Sequence, residues 1–191
     1  MQETETFCPD NQQQWRKWLQ KNHDKKQSVW LVYYKIKSGK AAMSWSEAVD
    51  EALCFGWIDS TRRPVDDEKF IQLFSRRKAG STWSKINKEK IERLIEEGRM
   101  TAAGLESVER AKQNGSWSIL DEAEELKIPK ELEKEFKVHP GSKAFFLSLS
   151  RSGRKMLLHW LVMAKRPETR QKRAKEIALC AGKKQKPKQF A

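Results

Sequence analysis

Histidine, cysteine, tyrosine and long apolar runs are scarce in this 191-residue sequence, and each shortage excludes something. Its three histidines sit apart: His23 among charges at a helix end, His139 before Pro140, and His159 beside Trp160. None has a second His, Cys or acid at ligand spacing, so no metal site is read and no cofactor is implied. A Ser-His-Asp or Cys-His set assembled only in space stays open, and no catalytic residue is assigned. Gly-rich phosphate loops and the strand-to-helix nucleophile elbow are also missing. Cys8, Cys54 and Cys180 are odd in number and far apart. That spacing argues against a disulfide framework and fits a reducing compartment. No window approaches the roughly 18 apolar residues that a membrane helix needs. The opening MQETETFCPDNQQQ has neither a basic start nor an apolar stretch. The expectation is a cytoplasmic chain without a signal peptide.

Tryptophan, by contrast, is abundant, with eight indoles against two tyrosines. Indoles bury large areas, so most are expected in the core. Lysine and arginine total 39 against 26 acids, a net charge of +13. Residues 165–188 hold ten of those cations against Glu168 and Glu176, a net of +8, so the basicity belongs mainly to the tail. The length suffices for one full hydrophobic core, or one core with a helical appendage.

The organising stretch is MSWSEAVDEALCFGWIDS, residues 43–60. Ser44 with Glu47 three residues on is a capping box that starts a helix. Trp45, Ala48, Val49, Ala52, Leu53 and Phe55 recur on one face, which leaves Glu47, Asp50 and Glu51 on a solvated or site-facing edge. Gly56 ends the helix, since only glycine enters the left-handed conformation there without strain. Cys54 reads as a small buried hydrophobe, because the C-terminal end of a helix disfavours a thiolate. Residues 57–59 then read as a short strand ending on a carboxylate.

Before this stretch, residues 10–22 predict a helix packing Trp15, Trp18 and Leu19, and residues 29–36 (VWLVYYKI) a strand buried on both faces. After it, residues 60–67 read as loop and 69–74 as a further strand. Helices capped by Ser84 and Thr101 follow, the first burying Ile86, Ile91, Leu94 and Ile95, the second Leu105, Val108 and Ala111. Residues 115–129 read as linker, with helices over 130–137, 142–149, 151–165 and 167–181. The fold class is α+β: a small, mainly antiparallel sheet covered by helices, followed by a helical C-terminal part. The corresponding division is a core at 1–116, a helical segment at 117–181 and a disordered basic tail at 182–191.

SWSEAVDEALCFGWIDS, with FSRRKAGSTWSKINKEKIERLIEEGRMTAAG after it, resembles the bacterial YdeI/OmpD-associated family, the bacteriocin-protection or OmdA-like proteins. SGRKMLLHWLVMAKRPETRQKRAKEI resembles that family's second signature segment. The resemblance implies a part in stress or antimicrobial tolerance and, by name, an outer-membrane protein partner; it implies no particular reaction.

Two surfaces could carry function. In the first, Glu47, Asp50 and Asp59 meet Arg76, Arg77 and Lys85 between walls of Trp45, Trp57 and Trp83. Polar groups converging in an aromatic cleft would take a small molecule or peptide, and an acid–base pair there could transfer a proton. The same charges could equally be salt bridges that hold the loop on the sheet. In the second, Arg166, Arg170 and Arg173 share one face of the last helix and would attract phosphates, in nucleic acid or at an anionic lipid surface. A solvated helix face, an acidic partner protein, or docking against the chain's own acids at 121–125 are the alternatives.

Overall fold

The structure, a computed structural model, describes residues 4–40 and 43–190. The chain forms two compact units, Met1–Trp117 and Ser118–Ala191. The first is α+β and the second entirely helical among the described residues.

In the first unit a four-stranded sheet has the order β1-β2-β4-β3, built from β1 (Thr6–Phe7), β2 (Ser28–Tyr34), β3 (Trp57–Pro64) and β4 (Lys69–Arg76). β1 lies parallel to β2 and the other pairs are antiparallel. β2 does not have the two-sided burial that its apolar run suggests. Val29, Leu31 and Tyr33 are buried while Trp30, Val32 and Tyr34 are half-buried, because helices cover only one face of the sheet. β3 runs five residues past Asp59, through the stretch expected to be loop. Its outer half is an edge strand facing water, where polar side chains are usual, and a bulge between Asp59 and Arg62 resets its pairing with β4.

Helix α1 (Gln12–Asn22), capped by Asn11, and helix α2 (Trp45–Cys54), with both halves of the Ser44–Glu47 capping box formed, pack together on the covered face. Gly56 has φ +71°, as the C-terminal cap demands. Helices α3 (Lys85–Glu96) and α4 (Ala102–Gln113) each pack against α2. Gly104 permits the α4 approach: a Cβ there would lie 2.2 Å from the Cys54 carbonyl oxygen. Trp15, Leu31, Leu53, Trp57, Phe74, Trp83 and Leu94 form the centre of the core. Ile86, Ile95 and Leu105, expected inside, are exposed; Ile91, Leu94, Val108 and Ala111 suffice to fill the contact with α2.

The second unit begins inside the expected linker, where α5 (Asp121–Glu124) buries Leu120 and Ala123. Then come α6 (Lys130–Val138), α7 (Ser142–Ser148), α8 (Arg151–Val162) and α9 (Pro167–Gly182), around Leu132, Phe136, Phe146, Leu158 and Ile177. Beyond α9, the stretch expected to be disordered carries a 3-10 turn at Lys188–Phe190, and Phe190 sits edge-on to Trp160 at 5.6 Å. Ala191 lies outside the described residues.

Candidate functional site

The nine side chains expected around one hollow are spread over four environments. Trp57 and Trp83 are core residues with essentially no exposed surface, and each is spent locally: Trp57 Nε1 donates to the His23 carbonyl, and Trp83 lies against Trp117. Asp50, expected at an open edge, is buried beneath α3, where Lys90 and Arg93 both contact it at 2.5 Å. Its neighbour Glu51 is likewise buried, accepting from Gln12, Arg16 and Arg99. The helical stripe assigned both acids to the outside, but α2 is covered by helices on more than one side. These carboxylates therefore serve as ion-paired crosslinks, the condition for burying such a charge.

The basic loop does not face those acids. Arg76 Nε donates to the Lys26 carbonyl, and Lys85 pairs loosely with Glu89 on its own helix. Arg77 stacks on the Trp83 ring at 3.5 Å and donates to the Thr82 carbonyl. Burial pulls its guanidinium down to about 10, against a smaller upward pull from Asp59. Asp59 itself accepts from Trp45 Nε1 at 2.9 Å and from Gln72 Nε2 at 3.1 Å. The contact expected between Asp59 and the cationic loop is thus replaced by a tether between the sheet and the first residue of α2.

A hollow is present in the first unit, one strand end away from the expected place. It lies beside the N-terminal turn of α2. A groove of about 550 Å³ opens there, lined by Tyr33, Tyr34 and Phe70 from the sheet, Lys35–Ile36–Lys37 beyond β2, Met43 to Trp45 with Glu47 at the helix start, and Arg62 from β3. Only Trp45 and Glu47 come from the expected set. Tyr33 and Phe70 are register partners on β2 and β4, and their rings stack at 4.9 Å with planes 4° apart. The Arg62 guanidinium lies 3.7 Å from the Phe70 ring centre. Since β4 lies between β2 and β3, Phe70 is sandwiched between Tyr33 and Arg62. Ile36 is 91% exposed and Trp45 49%, two large apolar walls left to solvent.

Polarity in the groove is uneven. Glu47, its one acid, is engaged by the Ser44 amide at 2.7 Å, and those Ser44 hydrogen bonds hold its carboxyl below the usual range. Lys35 donates to the Asp66 carbonyl. Arg62 has no ion-pair or hydrogen-bond partner among the described residues. The Tyr33 hydroxyl is buried and unpartnered, and burial, reinforced by the Asp59 charge, raises its pKa well above normal. An orphaned buried hydroxyl is uncommon and marks a place where a donor or acceptor is wanted.

The sequence reading missed Tyr33, Ile36, Met43, Arg62 and Phe70. The usable signal was period-two alternation, which places Tyr33, Phe70 and Arg62 on the helix side once the bulge is allowed for. Nothing local marked the bulge.

In the second unit, two of the three stripe arginines are already bound. Arg170 pairs with Glu131 of α6, and Arg173 donates to the Trp160 carbonyl while lying over the Trp160 ring. His159 lies 3.3 Å from Glu124; its pKa is lowered by burial, with Glu124 opposing. Lys172, Lys175 and Lys183 border an open depression on α9 of about 330 Å³, together with Glu176, Leu179 and Cys180. No group of three or more His, Cys, Asp or Glu among the described residues could hold a metal ion. No described helix is long and apolar enough to cross a membrane.

Comparison with known families gives two matches that do not overlap. Residues 7–107 match the model described as a domain of unknown function (DUF8412). Residues 125–183 match the one described as bacteriocin-protection, YdeI or OmpD-associated. The groove and the first signature segment lie in the former, the second signature segment in the latter. No curated protein and no solved structure matches the chain.

Proposed function

The chain belongs to the DUF8412 family and carries a bacteriocin-protection, YdeI or OmpD-associated domain at 125–183, and on that premise we propose that its first unit is a receptor for a small organic ligand, held in the groove at the open end of the sheet. The observation that carries this reading is the groove, whose volume of about 550 Å³ is lined by solvent-facing Ile36 and Trp45. Ligand pockets run from about 300 to 1,000 Å³, mostly apolar with a few fixed polar groups. Exposed apolar side chains gathered in a concavity lower the free energy when a ligand removes them from water. The biological role proposed with it is cytoplasmic, in stress or antimicrobial tolerance; the bacteriocin-protection description of the family matched at 125–183 supports the antimicrobial part.

A thermal-shift screen of small organic molecules tests the reading. A bound ligand at a hundredfold its Kd stabilises the fold by about 2.7 kcal/mol. A hit should raise the melting temperature of the wild type and leave Ile36→Glu unshifted; Ile36 is exposed, so that variant should fold normally. Hits that shift both proteins equally would reject the groove.

A second reading rests on one observation. Lys172, Lys175 and Lys183 line a depression that does not include Glu131 or Trp160, the partners that occupy Arg170 and Arg173. They form a cationic face for a polyanion, nucleic acid or acidic protein, displaced by half a helix from the arginine stripe.

A further inference from the structure

Arg62 is the least accounted-for polar group in the groove. Its guanidinium is stacked on Phe70 at 3.7 Å, with Tyr33 on the far side of that ring. Stacking fixes the plane of the guanidinium and removes much of the side chain's freedom before anything binds. Its N–H donors are nevertheless unspent among the described residues. A stacked guanidinium with free donors is prepared for two parallel hydrogen bonds to an oxyanion. Lys37, in the same lining, also lacks a carboxylate partner among the described residues. The one acid of the lining, Glu47, is committed to capping α2.

We infer that the groove takes a small organic oxyanion with an apolar body, its carboxylate or equivalent group received by Arg62. The apolar body packs between Ile36, Met43 and Trp45. The inference rests on the receptor reading above and adds the chemical class of the ligand. Charge supports it: Lys35, Lys37 and Arg62 surround the hollow against the single carboxylate of Glu47. A cationic ligand would meet three like charges there, and a neutral one would leave the guanidinium unpaired.

β3 provides its own control. Arg63, next in sequence, points to the other face of the sheet, over Trp30 at 4.9 Å. Arg62→Gln and Arg63→Gln therefore remove the same charge from adjacent exposed positions, one inside the groove and one outside. Titration calorimetry of the full chain with 2-naphthoate and its neutral analogue 2-naphthamide separates the possibilities. The expected result is naphthoate binding that weakens about tenfold or more in Arg62→Gln, stays within about twofold in Arg63→Gln, and recovers only partly in Arg62→Lys. Naphthamide should bind more weakly and ignore Arg62→Gln. Equal binding of both probes, indifferent to Arg62→Gln yet lost in Ile36→Glu, would overturn the oxyanion class and leave the groove as a receptor. Binding by neither probe, or binding unaffected by Ile36→Glu, would remove both.

Discussion

Glu51 illustrates what a buried charge requires. It is 3% exposed, and its two oxygens receive Gln12, Arg16 and Arg99, so α1, α2 and the turn before α4 meet on one carboxylate. The Cys54 thiol beside it is pushed up, first by burial and then by the Glu51 charge, and behaves as a core side chain. Removing the shared carboxylate leaves two half-buried arginines uncompensated, at a cost of up to about 3–5 kcal/mol. Glu51→Ala should therefore lose about that much stability in urea denaturation, and Glu51→Gln distinctly less, since it keeps an acceptor. A loss below 1 kcal/mol in Glu51→Ala would mean that the arginines reach water. Gly104 is a second single-residue constraint. Its missing Cβ lets α4 lie on the Cys54 carbonyl, so Gly104→Ala should be destabilising although alanine is the better helix former.

At the scale of elements, α2 does two things: it buries Ala48 to Cys54 in the core, and its first turn borders the groove. Its capping box starts it at Ser44, and Ser44→Ala should cost about 1 kcal/mol. Glu47, held low by the Ser44 hydroxyl and amide, has a folded-state pKa depressed below its unfolded value. Its contribution is present above the ordinary carboxylate range and is lost as pH falls through the depressed value. Glu47→Gln should thus have a flatter melting temperature between about pH 5 and pH 3 than the wild type, with the two converging at lower pH. Parallel curves would place the box outside the folding equilibrium.

The boundaries of α2 were legible because capping chemistry is local: a Ser, a Glu three residues on and a Gly at the end. So were α1 and the α+β class, from hydrophobic spacing. The second half of β3 was not, since an exposed edge strand such as Ser60–Pro64 has no apolar pattern and is specified by its neighbour β4. The expected site failed for a related reason. Asp50 and Trp57 were assigned from single-element stripes, whereas their burial is decided by α3 and α1, which the stripe cannot see. Trp45 and Glu47 were placed at the groove because they belong to a helix start, which sequence marks well.

For the whole molecule, the charge is divided unevenly. Residues 1–117 carry 21 cations against 17 acids, and 118–191 carry 18 against 9. On the second reading, any polyanion affinity is expected of the second unit. Within it, Arg170 is tied to Glu131 and Arg173 to Trp160, while Lys172, Lys175 and Lys183 are open. On a heparin column, Lys172→Glu with Lys175→Glu should elute at clearly lower salt, since each lost phosphate contact weakens salt-dependent binding. Arg170→Glu should shift elution less and lose stability more, by facing Glu131 with a like charge. The reverse order would return the arginine stripe to the binding surface.

The receptor reading of the first unit is tested most directly by the side-chain N–H signals of its tryptophans. Trp45 Nε1 is tied to Asp59 at the groove rim, whereas Trp15 Nε1 is spent on the Ala48 carbonyl deep in the core. Titrating 2-naphthoate into isotopically labelled protein should move the Trp45 indole signal and the backbone amides of Tyr33, Ile36 and Phe70 together, along one binding curve, and leave Trp15 in place. Shifts confined to the lysine face of α9, or no shifts at millimolar probe, would contradict it.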